Sequence, residues 1–156
     1  FSFVGPFGFD IGALLGNLIM SYTSHMAQGT EISYCEWILD LIKEVLEKFE
    51  SKFLQLWNEQ KESSLLVSGF LDNNETLEFK KEFMLNILRD SVGFAGCKMT
   101  RRMFGIAGVE DIREIKDEKT RNKAIKQTLK ISKKFVKHYK EIDKIEDVIT
   151  IIKGAQ

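Results

Sequence analysis

Apolar residues recur by threes and fours along most of the chain, the spacing of one face of a helix, and no segment shows a sustained strand-like alternation. Residues IGALLGNLIMSYTSHM are apolar nearly all round, which predicts a helix central to its domain, with Gly12, Ala13 and Gly16 allowing close approach of another backbone. Asp10 precedes this run and is expected to cap it, its carboxylate accepting from free N–H groups. A long helix is predicted from Glu31 to about Lys61, with Ile32, Cys35, Ile38, Leu39, Ile42, Leu46, Phe49, Phe53 and Leu56 as its stripe, broadened by Trp37, Val45 and Trp57. Asp72-Asn73-Asn74 is a cap cluster for a helix from about Glu75 to Arg89, its core side given by Leu77, Phe79, Phe83, Met84, Ile87 and Leu88. That helix can continue through SVGFAGCKMTRRMFG, although Gly93 and Gly96 each weaken it by roughly 1 kcal/mol relative to Ala. A short helix at VEDIREI, a long one capped by Asp117 and a last one near Ile145 to Ile152 complete the series. The long one is expected to present Ile125, Leu129, Ser132, Val136 and Tyr139 on one face. The expectation is an all-α domain of about six helices.

Composition agrees. A single Pro and twelve Phe in 156 residues favour a packed helical core. Lys plus Arg and Asp plus Glu number 23 each, a balance unlike the clearly basic surfaces of nucleic-acid-binding domains. The longest apolar stretch, Ile11 to Met20, is far short of the roughly 20 residues a spanning helix needs. Neither a nucleic acid nor a membrane is therefore expected as a partner. Two Cys make no disulfide framework and suit a reducing, cytoplasmic setting. The chain opens on Phe1 with no basic n-region, so a signal peptide is not expected, and it reads as a piece of something longer.

Chemistry-bearing residues are sparse. His25, Cys35, Cys97 and His138 match no zinc-ligand spacing, so no metal site is expected. Lys116 to Lys140 holds ten Lys or Arg against Asp117 and Glu118 only, while Glu31 to Glu62 holds eight acids against four lysines. The simplest account is two solvated helices of complementary sign, ahead of polyanion binding. Asp10 is the one charged carboxylate in the first 30 residues and suits either a helix cap or a strut for a neighbouring loop. Lys98, Arg101 and Arg102 share a helical face by i, i+3 and i+4 spacing, with no acid between Asp90 and Glu110. Two guanidinium forks suit a polar ligand or a phosphoryl charge; a salt-bridge anchor to a distant acid is the competing account.

Two segments, FSFVGPFGFDIGALLGNLI and SVGFAGCKMTRRMFGIAGVEDI, resemble parts of the 5-methylthioribose kinases: the run after their metal-binding Asp-x-Glu and their twin-arginine segment. The resemblance extends more weakly through the long tryptophan-containing helix and the Lys-rich one. It implies a protein-kinase-like, aminoglycoside-phosphotransferase-type fold that transfers the ATP γ-phosphoryl group to the 1-hydroxyl of S-methyl-5-thioribose in methionine salvage. It implies that Arg101 and Arg102 contact the sugar and that Asp10 braces the catalytic loop; Lys98 is added from spacing as an auxiliary. ATP and Mg²⁺ are the cofactors implied for the whole enzyme, and family habit implies a homodimer. The family's Gly-rich loop, anchoring lysine, His-Gly-Asp loop and Asp-x-Glu motif have no counterpart in residues 1–156. The chain therefore reads as the helical C-terminal subdomain of the catalytic domain, without the N-terminal lobe and catalytic loop. No catalytic residue is expected in it, and alone it is expected to be inactive and to bind neither cofactor specifically.

Two rival readings stand beside this one. A kinase of the same fold acting on another small alcohol, of the aminoglycoside, choline or homoserine type, differs by substrate. A non-enzymatic helical interaction module built on the basic helix differs by class.

Overall fold

The computed structural model describes residues 4–60, 65–67, 69–106 and 108–155. Six α-helices follow one another among the described residues: α1 (Gly8–Gln28), α2 (Ile32–Glu59), α3 (Asn73–Phe104), α4 (Glu110–Arg113), α5 (Glu118–His138) and α6 (Ile145–Lys153). A 3₁₀ turn, Tyr139–Glu141, links the last two, and no strand occurs among the described residues. The all-α reading holds. The segment after Arg89 does continue unbroken, so α3 is a single helix of 32 residues.

Asp72 starts α3 through a capping box: its Oδ1 accepts from the Asn74 and Glu75 N–H groups at 2.7 and 2.8 Å, and the Glu75 carboxylate accepts from the Asp72 N–H. Asp117 starts α5 in the expected way, accepting from the Thr120 N–H at 2.7 Å. Gly29, in the left-handed region at φ 72°, ends α1.

The core is a three-helix seam. Gly8, Gly12 and Gly16 of α1 form a ridge that lies directly on α3. A Cβ on Gly12 would stand 2.5 Å from the Ser91 carbonyl oxygen, and one on Gly8 2.8 Å from the Ser91 nitrogen. The opposite side of α3 meets α5, where a Cβ on Gly96 would lie 2.8 Å from Val136 Cγ2 and 3.1 Å from the Ser132 carbonyl oxygen. Short side chains finish the seam with hydrogen bonds: Thr23 with Thr128 at 2.7 Å, Ser132 to the Gly96 carbonyl at 3.1 Å, and Thr100 with Ser132. Leu15, Ile19, Met20, Val92, Ala95, Met99, Ile131 and Phe135 fill the interior between them.

Three expectations need correction. Asp10 is no cap: α1 begins two residues earlier, at Gly8, and Asp10 lies exposed in its first turn. The helix starts early because Gly8 fits against the α3 backbone, where any larger residue would collide. The inward face of α5 is Ala124, Gln127, Thr128, Ile131, Ser132 and Phe135, while Val136 is 43% exposed. Of the expected face, Ser132 is buried, while Ile125, Leu129 and Tyr139 are half-buried beside it. On α2 and α3, Ile32, Trp37, Leu56 and Leu77 are exposed and Trp57 takes the inward place.

The complementary-charge pairing of α2 with α5 also fails. α5 packs on α3 and α1, whereas α2 packs on α1 and α6. The ion pair leaving α2 runs from Lys43 to Glu146 of α6 at 3.2 Å, and none joins α2 to α5 among the described residues.

Candidate functional site

The glycine ridge fixes the direction of the helices. Gly8 meets Ser91, Gly12 meets Phe94 and Ala95, and Gly16 meets Ala95 and Lys98, so α1 and α3 run parallel. Their C-terminal ends therefore point toward the same end of the bundle, and the negative ends of both helix dipoles converge there. Cationic side chains are stabilised in that field. α3 carries Arg101 and Arg102 in its last turn, with Lys98 one turn before.

These three residues are brought together as the spacing predicts. Arg101 is exposed, while Lys98 and Arg102 are half-buried. The Lys98 stem runs past Gly16, its Cδ 3.6 Å from where a Cβ of that glycine would stand. Burial, followed by the nearby Arg102 and Arg101 guanidiniums, pushes the Lys98 ammonium below the ordinary lysine value. Among the described residues neither Lys98 nor Arg101 forms an ion pair. The Thr100 hydroxyl donates to the Gly96 carbonyl at 3.0 Å and meets Ser132, which pins the roll of α3 just where the cations leave it. The helix then closes with the Gly105 N–H on the Arg101 carbonyl at 2.8 Å. Beyond it the Arg113 side chain folds back over Gly108 to donate to the Ile106 carbonyl at 3.1 Å. The outcome is a fixed cationic helix end, with Arg101 exposed and Lys98 and Arg102 half-buried.

Asp10 is not part of this group. It sits near the level of Ser91 on α3, ten residues before Arg101, which at 1.5 Å per residue is about 15 Å along the axis. His25 bonds Thr30 at 3.1 Å, His138 bonds Glu141 at 3.0 Å, Cys35 is buried and Cys97 is exposed. No three His, Cys, Asp or Glu come together as a metal site among the described residues. No described helix is long and apolar enough to cross a membrane.

One feature escaped sequence reasoning. A cleft of about 620 Å³ opens between α2, α3 and the start of α6, floored by Leu46, Met84, Leu88 and Ile145. Its acidic rim is largely neutralised: Glu47 pairs with Lys43, Glu78 with Lys81 and Glu82 with Arg89. The sole hint in the sequence is acids at one-turn spacing on both long helices.

No family model matches the chain. Individual relatives do, among them three kinases. Each of the three is, in particular, a methylthioribose kinase. Methylthioribose kinase 2 of Oryza sativa subsp. japonica is 36% identical over 161 residues, which take in 99% of this chain and 38% of the relative. The Escherichia coli enzyme is 29% identical over 155 residues, 96% of this chain and 37% of the relative. A Bacillus cereus enzyme is 32% identical over 138 residues, 88% of this chain and 32% of the relative. The chain is thus homologous over most of its length to methylthioribose kinases, and it spans about a third of their length.

Proposed function

We propose that this chain is the helical C-terminal part of an ATP-dependent S-methyl-5-thioribose kinase. In the complete protein the γ-phosphoryl group passes to the sugar's 1-hydroxyl, and this part contributes substrate positioning. The observation that carries the reading is the 36% identity to a methylthioribose kinase across 99% of the chain. The glycine ridge supports it, since it holds α3 rigidly and presents Arg101 and Arg102 from a fixed helix end. Their planar forks suit the hydroxyls of a sugar. Asp10, at the other end of α1, is free to brace a loop contributed by the remainder of the enzyme. A methylthioribose ligand, ATP and Mg²⁺ elsewhere in the enzyme, and a homodimer belong to the same proposal.

The test is ADP release from ATP by the complete protein, with methylthioribose compared against an aminoglycoside, choline and homoserine. Methylthioribose is expected to give the highest kcat/KM. Replacing Arg101 or Arg102 with Lys keeps the charge and loses the fork. A ligand role predicts a loss of about 1.5–3 kcal/mol in kcat/KM with little change in Tm. A lower Tm with normal kinetics would assign both arginines to structure instead.

A further inference from the structure

The charges of the chain cancel overall, 23 against 23, but not locally. α5 carries seven lysines and Arg121 against Glu118 alone. All seven lysines fall within about 100° of one another around the helix, and all are exposed. An open groove runs along this face, lined by Lys119, Lys123, Lys126 and Lys130 and by Ala27 from the last turn of α1. α2 is the counterpart, with six acids against three lysines, and Glu36, Asp40 and Glu44 are exposed along its first half. These three recur at the i, i+4, i+8 spacing of Lys126, Lys130 and Lys134, so each row is about 12 Å long. Beside the acidic row stands Trp37, 53% exposed and stacked on Tyr34 at 5.5 Å. Trp and Tyr are enriched at protein–protein interfaces, and an indole face attracts an ammonium.

Within one chain the two faces do not pair: α5 packs mainly on α3 and α1, α2 on α1 and α6, and no ion pair joins α2 to α5 among the described residues. They do flank the same end of α1. Ala27 lines the lysine groove, and His25, two residues earlier, meets Tyr34 edge-on at 4.8 Å. A molecule with faces of opposite sign on either side of one helix end is its own complement. About a two-fold axis, α5 of each copy meets α2 of the other, and the contact is made twice. We infer that the chain self-associates through this pairing, the lysine face of α5 in one copy lying against the acidic, Trp37-bearing face of α2 in a second. This names the surface of the homodimer in the proposed function and rests on that part of it.

Sedimentation equilibrium of the complete protein at about 50 and about 500 mM salt tests this, since salt screens exposed charges. The expected result is a dimer at low salt whose Kd rises at least about tenfold at high salt. Lys126→Glu/Lys130→Glu reverses one face and Glu36→Lys/Asp40→Lys the other; none of the four residues forms an ion pair within the described chain, so neither change removes one. Each reversed variant alone is expected to dimerise at least about a hundredfold more weakly. Mixed together, the two should form a heterodimer within about tenfold of the wild-type affinity, because both contacts again join opposite charges. The neutral Lys126→Gln/Lys130→Gln should weaken the dimer at least about tenfold, which keeps the test decisive if a reversed variant fails to fold. A wild type that is monomeric at low salt, a dimer that neither the reversals nor the neutral variant weaken, or a mixture of folded variants that stays monomeric overturns the inference. So does a monomeric wild type held on heparin through Lys126 and Lys130, which would make α5 a polyanion surface instead. The kinase reading fails separately: wild type then does not phosphorylate methylthioribose, whatever the mixing result.

Discussion

The glycine seam between α1, α3 and α5 and the aromatic end of α2 and α3 hold the same helix by opposite means. In the seam, side chains are subtracted until backbones touch: Gly12 leaves 2.5 Å between a would-be Cβ and the Ser91 carbonyl. At the other end, side chains are multiplied. Trp57 meets Phe83 edge-on at 5.0 Å, Phe53 at 5.9 Å and Phe79 at 6.1 Å, and Phe7 from the start of α1 closes on Phe53 at 5.4 Å. Backbone contact fixes register and direction but cannot give. Ring contact contributes more buried area and can repack. The cationic end of α3 lies beyond the rigid seam, while the aromatic cluster anchors the far end.

The largest effect should come from emptying the aromatic end. Trp57 is 6% exposed. Trp57→Ala is expected to cost about 3–5 kcal/mol in urea unfolding, whereas Trp57→Phe should retain most of that because neighbouring rings can shift. A comparable loss from both variants would mean that this region is as unyielding as the seam.

A single added methyl should hurt the seam, though less than emptying the Trp57 place hurts the cluster. Gly12→Ala has backbone oxygen on one side and Phe94 Cβ at 2.7 Å on the other, so α1 must lift away. An expected cost of about 1–3 kcal/mol follows despite the better helix propensity of Ala, which alone would stabilise by about 1 kcal/mol. A stabilised Gly12→Ala would show that the seam has slack, and the argument that it fixes the cationic end would go with it.

The aromatic end and the seam were each legible in part. Phe53, Phe83 and Met84 fall on a helical apolar stripe, and Asp72 and Asp117 announce their caps through oxygen side chains in the right places. In the seam Gly12, Gly16 and Gly96 mark close approach in the sequence and Ser132 falls on the expected face, whereas Gly8, Ser91 and Thr128 carry no such signal. Their burial follows from which helix lies opposite, so the true inward face of α5 and the early start of α1 emerge only with the tertiary packing. The trio Lys98, Arg101 and Arg102 was legible because helical spacing alone brings it together. That Asp10 stands about 15 Å along the axis from Arg101 depends on the parallel direction of α1 and α3, which no local pattern encodes.

The smallest effect concerns the cationic end, which neither packing style explains. Burial and two guanidiniums hold the Lys98 pKa below its ordinary value, so the folded protein binds that proton less readily than the unfolded chain. Between the lowered folded value and the ordinary one, the unfolded state binds more protons, and stability contributed by this group rises with pH. The penalty is complete below the folded pKa and is relieved once pH passes the unfolded one, about 10.4. Lys98→Met removes the charge and keeps the apolar stem against Gly16. It should therefore be slightly more stable than wild type near pH 7, by less than about 1 kcal/mol because solvent screens a half-buried ammonium. The gap should shrink as pH approaches about 10.4. Comparing the two proteins at each pH cancels the other lysines, including Lys43, whose pKa is raised by its Glu146 partner and whose contribution fades in the same alkaline range. Thermal unfolding of both proteins across that range reads the gap directly. A gap that is absent at neutral pH, or that does not close, would mean that the folded protein carries no electrostatic cost at Lys98.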